Sequence, residues 1–160
     1  GGPADQTSIA ILVVAGGRGS RAGDGGPKQY RTIAGKTLLA WTLQALHMAA
    51  PQAALKVVVH SDDFDQYAAS AAELSPSNQA RLLSPAFGGA TRQDSVRNGL
   101  EALAAEGAPD IVLIHDAARP FPDAALVARA IDAAKIHGAA APGVPLADTI
   151  KEIDGAGAVV

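Results

Sequence analysis

Between Ala15 and Lys36 five basic residues, Arg18, Arg21, Lys28, Arg31 and Lys36, stand against a single acid, Asp24. The first three are set among Gly16, Gly17, Gly19, Gly23, Gly25 and Gly26, directly after an apolar run. Glycine-rich backbone can turn successive amides toward one point, and amides backed by guanidinium and ammonium groups form a cradle for phosphate oxygens. Three cations close together suit a triphosphate better than a monophosphate. The alternative is a surface turn with solvated charges, and the crowding of base immediately after the first strand argues against it.

Two further stretches carry chemistry. His115 to Pro120 follows the most apolar run in the chain, and Asp116 there is placed to hold Mg²⁺ against phosphates. Pairing with Arg119, or capping of a turn, is the competing role for a lone aspartate. Gly88 and Gly89 permit close backbone approach, Arg92 can meet an anion, and Ser95 can hydrogen-bond a ligand or begin a helix. His115 reads as a packed residue, while His47, His60 and His137 read as structural or surface groups. No serine lies in a nucleophile-elbow pattern, and the chain has no cysteine for thiolate chemistry, disulfides or metal.

Two familiar phosphate motifs fail on inspection. Gly17, Gly19 and Ala22 fit the spacing of a dinucleotide fingerprint. That motif needs a helix at its third small residue, which Gly23, Gly25, Gly26 and Pro27 oppose, and an acid about 20 residues on. Gly35-Lys36-Thr37 resembles the end of a P-loop, but position 30, where that loop needs glycine, is Tyr30.

The elements that must position these residues follow from hydrophobic patterning. Strands are expected at Ile9 to Val14, Lys56 to His60, Arg81 to Leu83, Ile111 to His115 and Ala139 to Val144. Helices are expected at Thr37 to Met48, Asp63 to Leu74, Ser95 to Ala105 and Asp123 to His137, with starts at Asp94 or Ser95 and at Asp123. The strands hold continuous apolar runs instead of alternation, as in a sheet covered on both faces. The predicted fold is therefore an α/β three-layer, Rossmann-like domain with a mainly parallel sheet. In such a sheet ligands bind beyond the carboxyl ends of the strands, which is where the three stretches above fall.

Bulk properties agree. The chain has 160 residues, 48% hydrophobic and 18% charged, which suits one soluble domain. A net charge of -3 gives no basic face for nucleic acid. The run Ile9 to Ala15 is far short of the roughly 20 residues of a membrane span, so a cytoplasmic location is expected. Residues 1–8 read as a tag remnant or disordered start, and residues 9–160 as one domain cut short at its C-terminus.

In order, AGGRGSR (15–21), PKQY (27–30), GGATRQDSV (88–96), HDAARPF (115–121) and PLADTIK (145–151) make the chain resemble the 2-C-methyl-D-erythritol 4-phosphate cytidylyltransferase family of isoprenoid-precursor synthesis. The similarity runs from Ile9 to Ile150, and PKQY and HDAARP are its most specific parts. The resemblance implies that Val14, Ala15, Gly16, Gly17 and Gly19 form a CTP phosphate loop, with Arg21 and Lys28 stabilising charge at the α-phosphate. It implies that Gly89, Ala90 and Arg92, with Ser95, read the cytosine and its surroundings. Asp116, Ala117 and Ala118 would hold ribose and metal; Asp116 would also approach methylerythritol phosphate, and Arg119 would support that loop. Thr149 and Lys151 would begin a dimerisation arm, so a homodimer or higher homo-oligomer is implied. The family usually has Pro-Ala-Ala-Gly where this chain has Val14-Ala15-Gly16-Gly17, and its members are longer; some are fused to a downstream pathway cyclase.

The implied reaction is attack of a methylerythritol phosphate oxygen on the α-phosphorus of CTP, expelling pyrophosphate, with Mg²⁺, Arg21 and Lys28 neutralising charge. Residue logic alone leaves open a cytidylyl- or guanylyltransferase for another phosphorylated substrate, a dinucleotide-binding domain, and an inactive nucleotide-binding fragment.

Overall fold

Seven consecutive apolar residues, Ile9–Ala15, form strand β1, and all seven are buried. A strand buried on both faces needs a layer on each side, and the rest of the chain supplies them. The structure is a computed structural model that describes residues 8–15, 27–117, 124–137 and 150–152. After β1 come a short hairpin, β2 (Thr32–Ile33) and β3 (Lys36–Thr37), then α1 (Leu38–Ala49), β4 (Ala54–Val59), α2 (Phe64–Ala72) and α3 (Pro76–Ala80). These are followed by β5 (Ala86–Phe87), α4 (Arg92–Ala105), β6 (Ile111–Asp116), α5 (Ala124–His137) and β7 (Ile150–Glu152). The main sheet has the order β5-β4-β1-β6-β7; β4 and β6 flank β1 in parallel, β5 is parallel to β4, and β7 is antiparallel to β6.

Successive strand residues point to opposite faces, so β1 feeds two cores. Ile9, Ile11 and Val13 pack with Leu39, Leu43 and Leu46 of α1 and Val127 and Ile131 of α5. Ala10, Leu12 and Val14 pack with Leu100 and Leu103 of α4. The second interface is tight: a Cβ at Gly99 would lie 2.6 Å from Leu12 Cδ1 and 2.7 Å from Val58 Cγ2. Only glycine lets α4 sit this close. The three-layer α/β fold with a mainly parallel sheet is as expected.

Several boundaries differ from the patterning. The strand expected at Arg81 to Leu83 is reduced to one bridge between Leu82 and Leu55, and the paired edge strand lies later, at Ala86–Phe87. Helix α4 begins at Arg92, ahead of the expected Asp94 or Ser95, because the Thr91 hydroxyl accepts the Asp94 amide and caps the helix there. α2 begins at Phe64, with Asp63 in a preceding 3₁₀ turn, and the chain beyond it forms α3, started by the Ser75 cap and Pro76. β7 was not expected. The expected strand at Ala139 to Val144 and the helix start at Asp123 lie outside the described residues. Gly35, part of the rejected P-loop pattern, turns the β2–β3 hairpin with φ +88, next to Ala34 at φ 52, as a two-residue turn with both central φ positive requires.

The buried lysine is the other departure. Lys56 sits in the middle of β4 at 1% exposure, and its ammonium meets Glu106 Oε2 at 2.5 Å, at the C-terminal end of α4. An apolar run interrupted by lysine stays a strand because that charge reaches a carboxylate at the sheet's rim.

Candidate functional site

The register of the sheet brings the expected loops to one edge. Val14 lies opposite Asp116 across β1 and β6, while Ala15, Val59 and Phe87 line up across β1, β4 and β5. At about 4.8 Å between strands, the ends of β6 and β5 are roughly 14 Å apart with β1 and β4 between them.

On the β6 side, the ladder runs one step past the strand: the Ala117 amide donates to the Val14 carbonyl at 3.0 Å. The Thr42 hydroxyl of α1 lies 2.9 Å from the Leu38 carbonyl and 3.3 Å from the Ala117 carbonyl, sharing its proton between them. Asp116, at half-burial, thus stands on a backbone held from both the sheet and α1. His115 is 2% exposed and shares the face of Val13, so it is a packed residue, as its patterning suggested.

On the β1 side, Lys28 is exposed at the start of a 3₁₀ turn over Lys28–Tyr30. The next residue, Gln29, is 6% exposed and donates from Nε2 to the Ala15 carbonyl at 3.1 Å. This bond ties the lysine's turn to the last residue of β1. Arg31 then accepts the Leu38 amide through its carbonyl, joining the turn to α1. Sequence reasoning singled out Lys28 and passed over Gln29, because a neutral amide carries no charge signal; its place inside Pro27-Lys28-Gln29-Tyr30 was the available clue.

On the β5 side, three successive groups of a turn have fixed partners. Asn98 Nδ2 donates to the Phe87 carbonyl at 3.1 Å, the Gly88 amide to the Val59 carbonyl at 2.8 Å, and the Gly89 amide to Ser95 Oγ at 3.1 Å. A Cβ at Gly89 would lie 2.5 Å from Asp94 Cβ, so the turn closes on the helix only with glycine there. Ser95 is buried in the first turn of α4, whereas Ala90 and Arg92 are exposed. Among the described residues, no hydrogen bond is made to the carbonyls of Gly88 and Gly89 or by the amide of Ala90.

Val14, Ala15, Lys28, Gly89, Ala90, Arg92, Ser95, Asp116 and Ala117 are thus all at or beside one edge of the sheet. Gly16, Gly17, Gly19, Arg21, Ala118 and Arg119, with Arg18 and Thr149, lie outside the described residues. Among the described residues no three His, Cys, Asp or Glu side chains gather as a metal cluster. A cavity of about 220 Å³ does exist elsewhere, walled by Ile9, Ala10, Ala54, Leu83, Leu103 and Glu106. It sits at the starts of β1 and β4, the opposite edge from these loops, and its apolar walls offer nothing to a polyanion. No helix among the described residues is long and apolar enough to cross a membrane.

Comparison with known proteins agrees with the motifs. The bifunctional enzyme IspD/IspF of Nitrobacter winogradskyi is 54% identical over 157 residues, which is 98% of this chain and 37% of that protein. The chain therefore spans little more than a third of the curated relatives it matches. Among solved structures, 2-C-methyl-D-erythritol 4-phosphate cytidylyltransferase from Thermus thermophilus is 31% identical with a TM-score of 0.54, over 96% of this chain and 63% of that one. The 4-diphosphocytidyl-2C-methyl-D-erythritol synthase from Anaerococcus prevotii, 23% identical, shares the fold with a TM-score of 0.64 over 97% of this chain and 64% of that one. The family model for 2-C-methyl-D-erythritol 4-phosphate cytidylyltransferase matches residues 9–160, and the chain belongs to that family.

Proposed function

We propose that the protein transfers CMP from CTP to 2-C-methyl-D-erythritol 4-phosphate, releasing pyrophosphate and forming 4-diphosphocytidyl-2-C-methyl-D-erythritol. The observation that carries this reading is the meeting, at one sheet edge, of the Gln29-anchored Lys28 turn, Asp116 opposite Val14, and the Gly88–Gly89 turn with its open carbonyls. A phosphate oxygen of the acceptor forms the new bond to the α-phosphorus of CTP. The bond from that phosphorus to the β-phosphate oxygen breaks, and its electrons leave with pyrophosphate. No covalent enzyme intermediate is needed.

The protein's part is alignment and charge neutralisation. Lys28 and Arg21 take up charge that grows at the α-phosphate, an effect worth roughly 3 to 4 kcal/mol for a well-placed group. Val14, Ala15, Gly16, Gly17 and Gly19 carry the triphosphate on backbone amides. Gly89, Ala90 and Arg92 take the base, whose exocyclic amine suits a backbone carbonyl. The Ser95 hydroxyl, which accepts from Gly89, keeps its own proton to donate. Ala117 and Ala118 line the ribose, and Arg119 supports Asp116 toward the acceptor.

Asp116 fits a divalent cation, because Mg²⁺ is usually held by one or two carboxylates together with substrate phosphates. When bound, the cation would draw charge from the phosphate oxygens. The reading extends to a homodimer, with Thr149 and Lys151 opening the arm between subunits, and to a cytoplasmic enzyme. The test is to supply each nucleoside triphosphate with Mg²⁺ and methylerythritol phosphate and to measure pyrophosphate. Release with CTP and this acceptor supports the proposal; release only with another nucleotide or acceptor points to a sister transferase, and NAD binding without pyrophosphate would refute it.

A further inference from the structure

The turn after β5 is gripped from one helix at two points. Gly99 fixes the height of α4 above the sheet, since a Cβ there would run into Leu12 and Val58. With the helix so placed, Ser95 reaches the Gly89 amide, and Asn98, nearly one turn on, reaches the Phe87 carbonyl. The same Asn98 Nδ2 lies 3.5 Å from where a Cβ of Gly89 would stand, so this amide lies directly under the turn. The Gly88 amide between these two grips is held by Val59 in the neighbouring strand.

We infer that Asn98 is a positioning residue for nucleotide recognition: by holding the Phe87 carbonyl it secures, together with the Val59 and Ser95 bonds to the next two amides, the turn that presents the Gly88 and Gly89 carbonyls and the Ala90 amide to the base. Two observations set this apart from simple stabilisation. β5 is only two residues long and lies at the sheet edge, so on the sheet side the Phe87–Gly88 peptide is held by one bond, from the Gly88 amide to the Val59 carbonyl, and Asn98 supplies the second. Asn98 bonds a carbonyl, not an apolar neighbour, and it does so next to the groups that have no described partner. Loss of its donor would leave the Phe87–Gly88 peptide held by the Gly88–Val59 bond alone and free to tilt about it, which shifts the base contacts and leaves Lys28 and Asp116 unmoved at β1 and β6. The effect should therefore fall on nucleotide affinity and on base selectivity, and not on the chemical step.

This inference rests on the proposed CTP-dependent reaction, and the experiment separates the two. Wild-type protein, Asn98→Ala, Asn98→Asp and Arg97→Ala are compared in steady-state pyrophosphate release, with CTP and UTP as donors, together with their melting temperatures. Asn98→Asp keeps the shape and replaces the donor with an acceptor facing the Phe87 carbonyl. Arg97 pairs only with Asp94 among the described residues and serves as the control. Both Asn98 variants should raise KM for CTP about fivefold, the worth of one ordinary hydrogen bond, and narrow the CTP to UTP preference. Their kcat and KM for methylerythritol phosphate should stay within about twofold, with Arg97→Ala unchanged throughout. An unchanged KM for CTP in Asn98→Asp, or a loss of kcat that merely follows a loss of melting temperature, would overturn the inference while leaving the proposed function standing. A wild-type protein that releases no pyrophosphate from CTP would instead overturn the proposed function, and this inference with it.

Discussion

Gln29 donates its side-chain amide to the carbonyl of Ala15 at 3.1 Å, from a position almost wholly buried. That single bond joins the turn bearing Lys28 to the last residue of the central strand. Gln29→Glu keeps the shape but turns a buried donor into an acceptor facing a carbonyl, which costs about 1 to 3 kcal/mol for the unsatisfied group. We predict a fall in kcat of at least tenfold, with KM for methylerythritol phosphate changed less. A Gln29→Glu enzyme with wild-type kcat would show that the turn finds its place without this bond.

Lys28 itself is exposed, so its removal should leave the fold intact. Lys28→Ala is expected to lower kcat by about 10² to 10³, the usual loss for one charge-stabilising group, at an unchanged melting temperature. Full kcat in this variant would exclude Lys28 from the chemistry.

Gly99→Ala sets two effects against each other. Alanine favours a helix interior over glycine by up to about 1 kcal/mol. The added methyl, however, would press on Leu12 and Val58 at 2.6 to 2.7 Å in a filled core, and overpacking of that kind costs about 1 to 3 kcal/mol. The clash should win, and chemical denaturation should show a net loss of stability. A stabilised Gly99→Ala protein would mean that α4 can lift from the sheet without penalty.

The Lys56–Glu106 pair has one end buried and the other at 42% exposure. Removing the carboxylate strands a buried ammonium, so Glu106→Ala should destabilise by about 2 kcal/mol, less than a fully buried pair would cost, because water reaches Glu106. Replacing Lys56 with methionine removes the charge instead of orphaning it, and should cost less. Equal losses in the two variants would contradict the account.

His47 is buried at the end of α1, and among the described residues neither ring nitrogen has a hydrogen-bond partner. Burial, and secondarily the nearby Arg81 guanidinium, hold its pKa below the ordinary 6.5. The unfolded chain therefore takes up this proton at a higher pH than the folded one. The group's contribution to stability is whole above pH 6.5 and is lost as pH falls from there through the lower, folded value. Between about pH 7.5 and 5.5 the melting temperature should drop more in the wild type than in His47→Leu. Parallel pH profiles would remove His47 as a cause.

Much of this was legible in the chain before the structure. β1 and β6 stand out because Ile9–Ala15 and 111–114 are apolar without interruption, which is the mark of strands covered on both faces. A mainly parallel sheet puts Lys28, Asp116 and Gly89 in loops at its carboxyl edge, which is where such sheets bind ligands. β5 was misplaced because Leu82 and Leu83 carry the apolar signal, whereas Ala86–Phe87 makes the pairing with two residues and no periodicity. The start of α4 was missed by a few residues because Thr91, Asp94 and Ser95 are all good caps, and only geometry shows which hydroxyl receives an amide. Gln29 and Asn98 were passed over because their work is to hold backbone carbonyls, which leaves no charge or spacing in the sequence to announce it.

The most direct test follows the atoms. Methylerythritol phosphate labelled with ¹⁸O on its non-bridging phosphate oxygens is turned over with CTP, and the products are read by ³¹P NMR. The account predicts label in the bridge between the two phosphorus atoms of the cytidine diphosphate product and none in pyrophosphate. Label in pyrophosphate, or a product without a phosphorus–oxygen–phosphorus bridge, would contradict it.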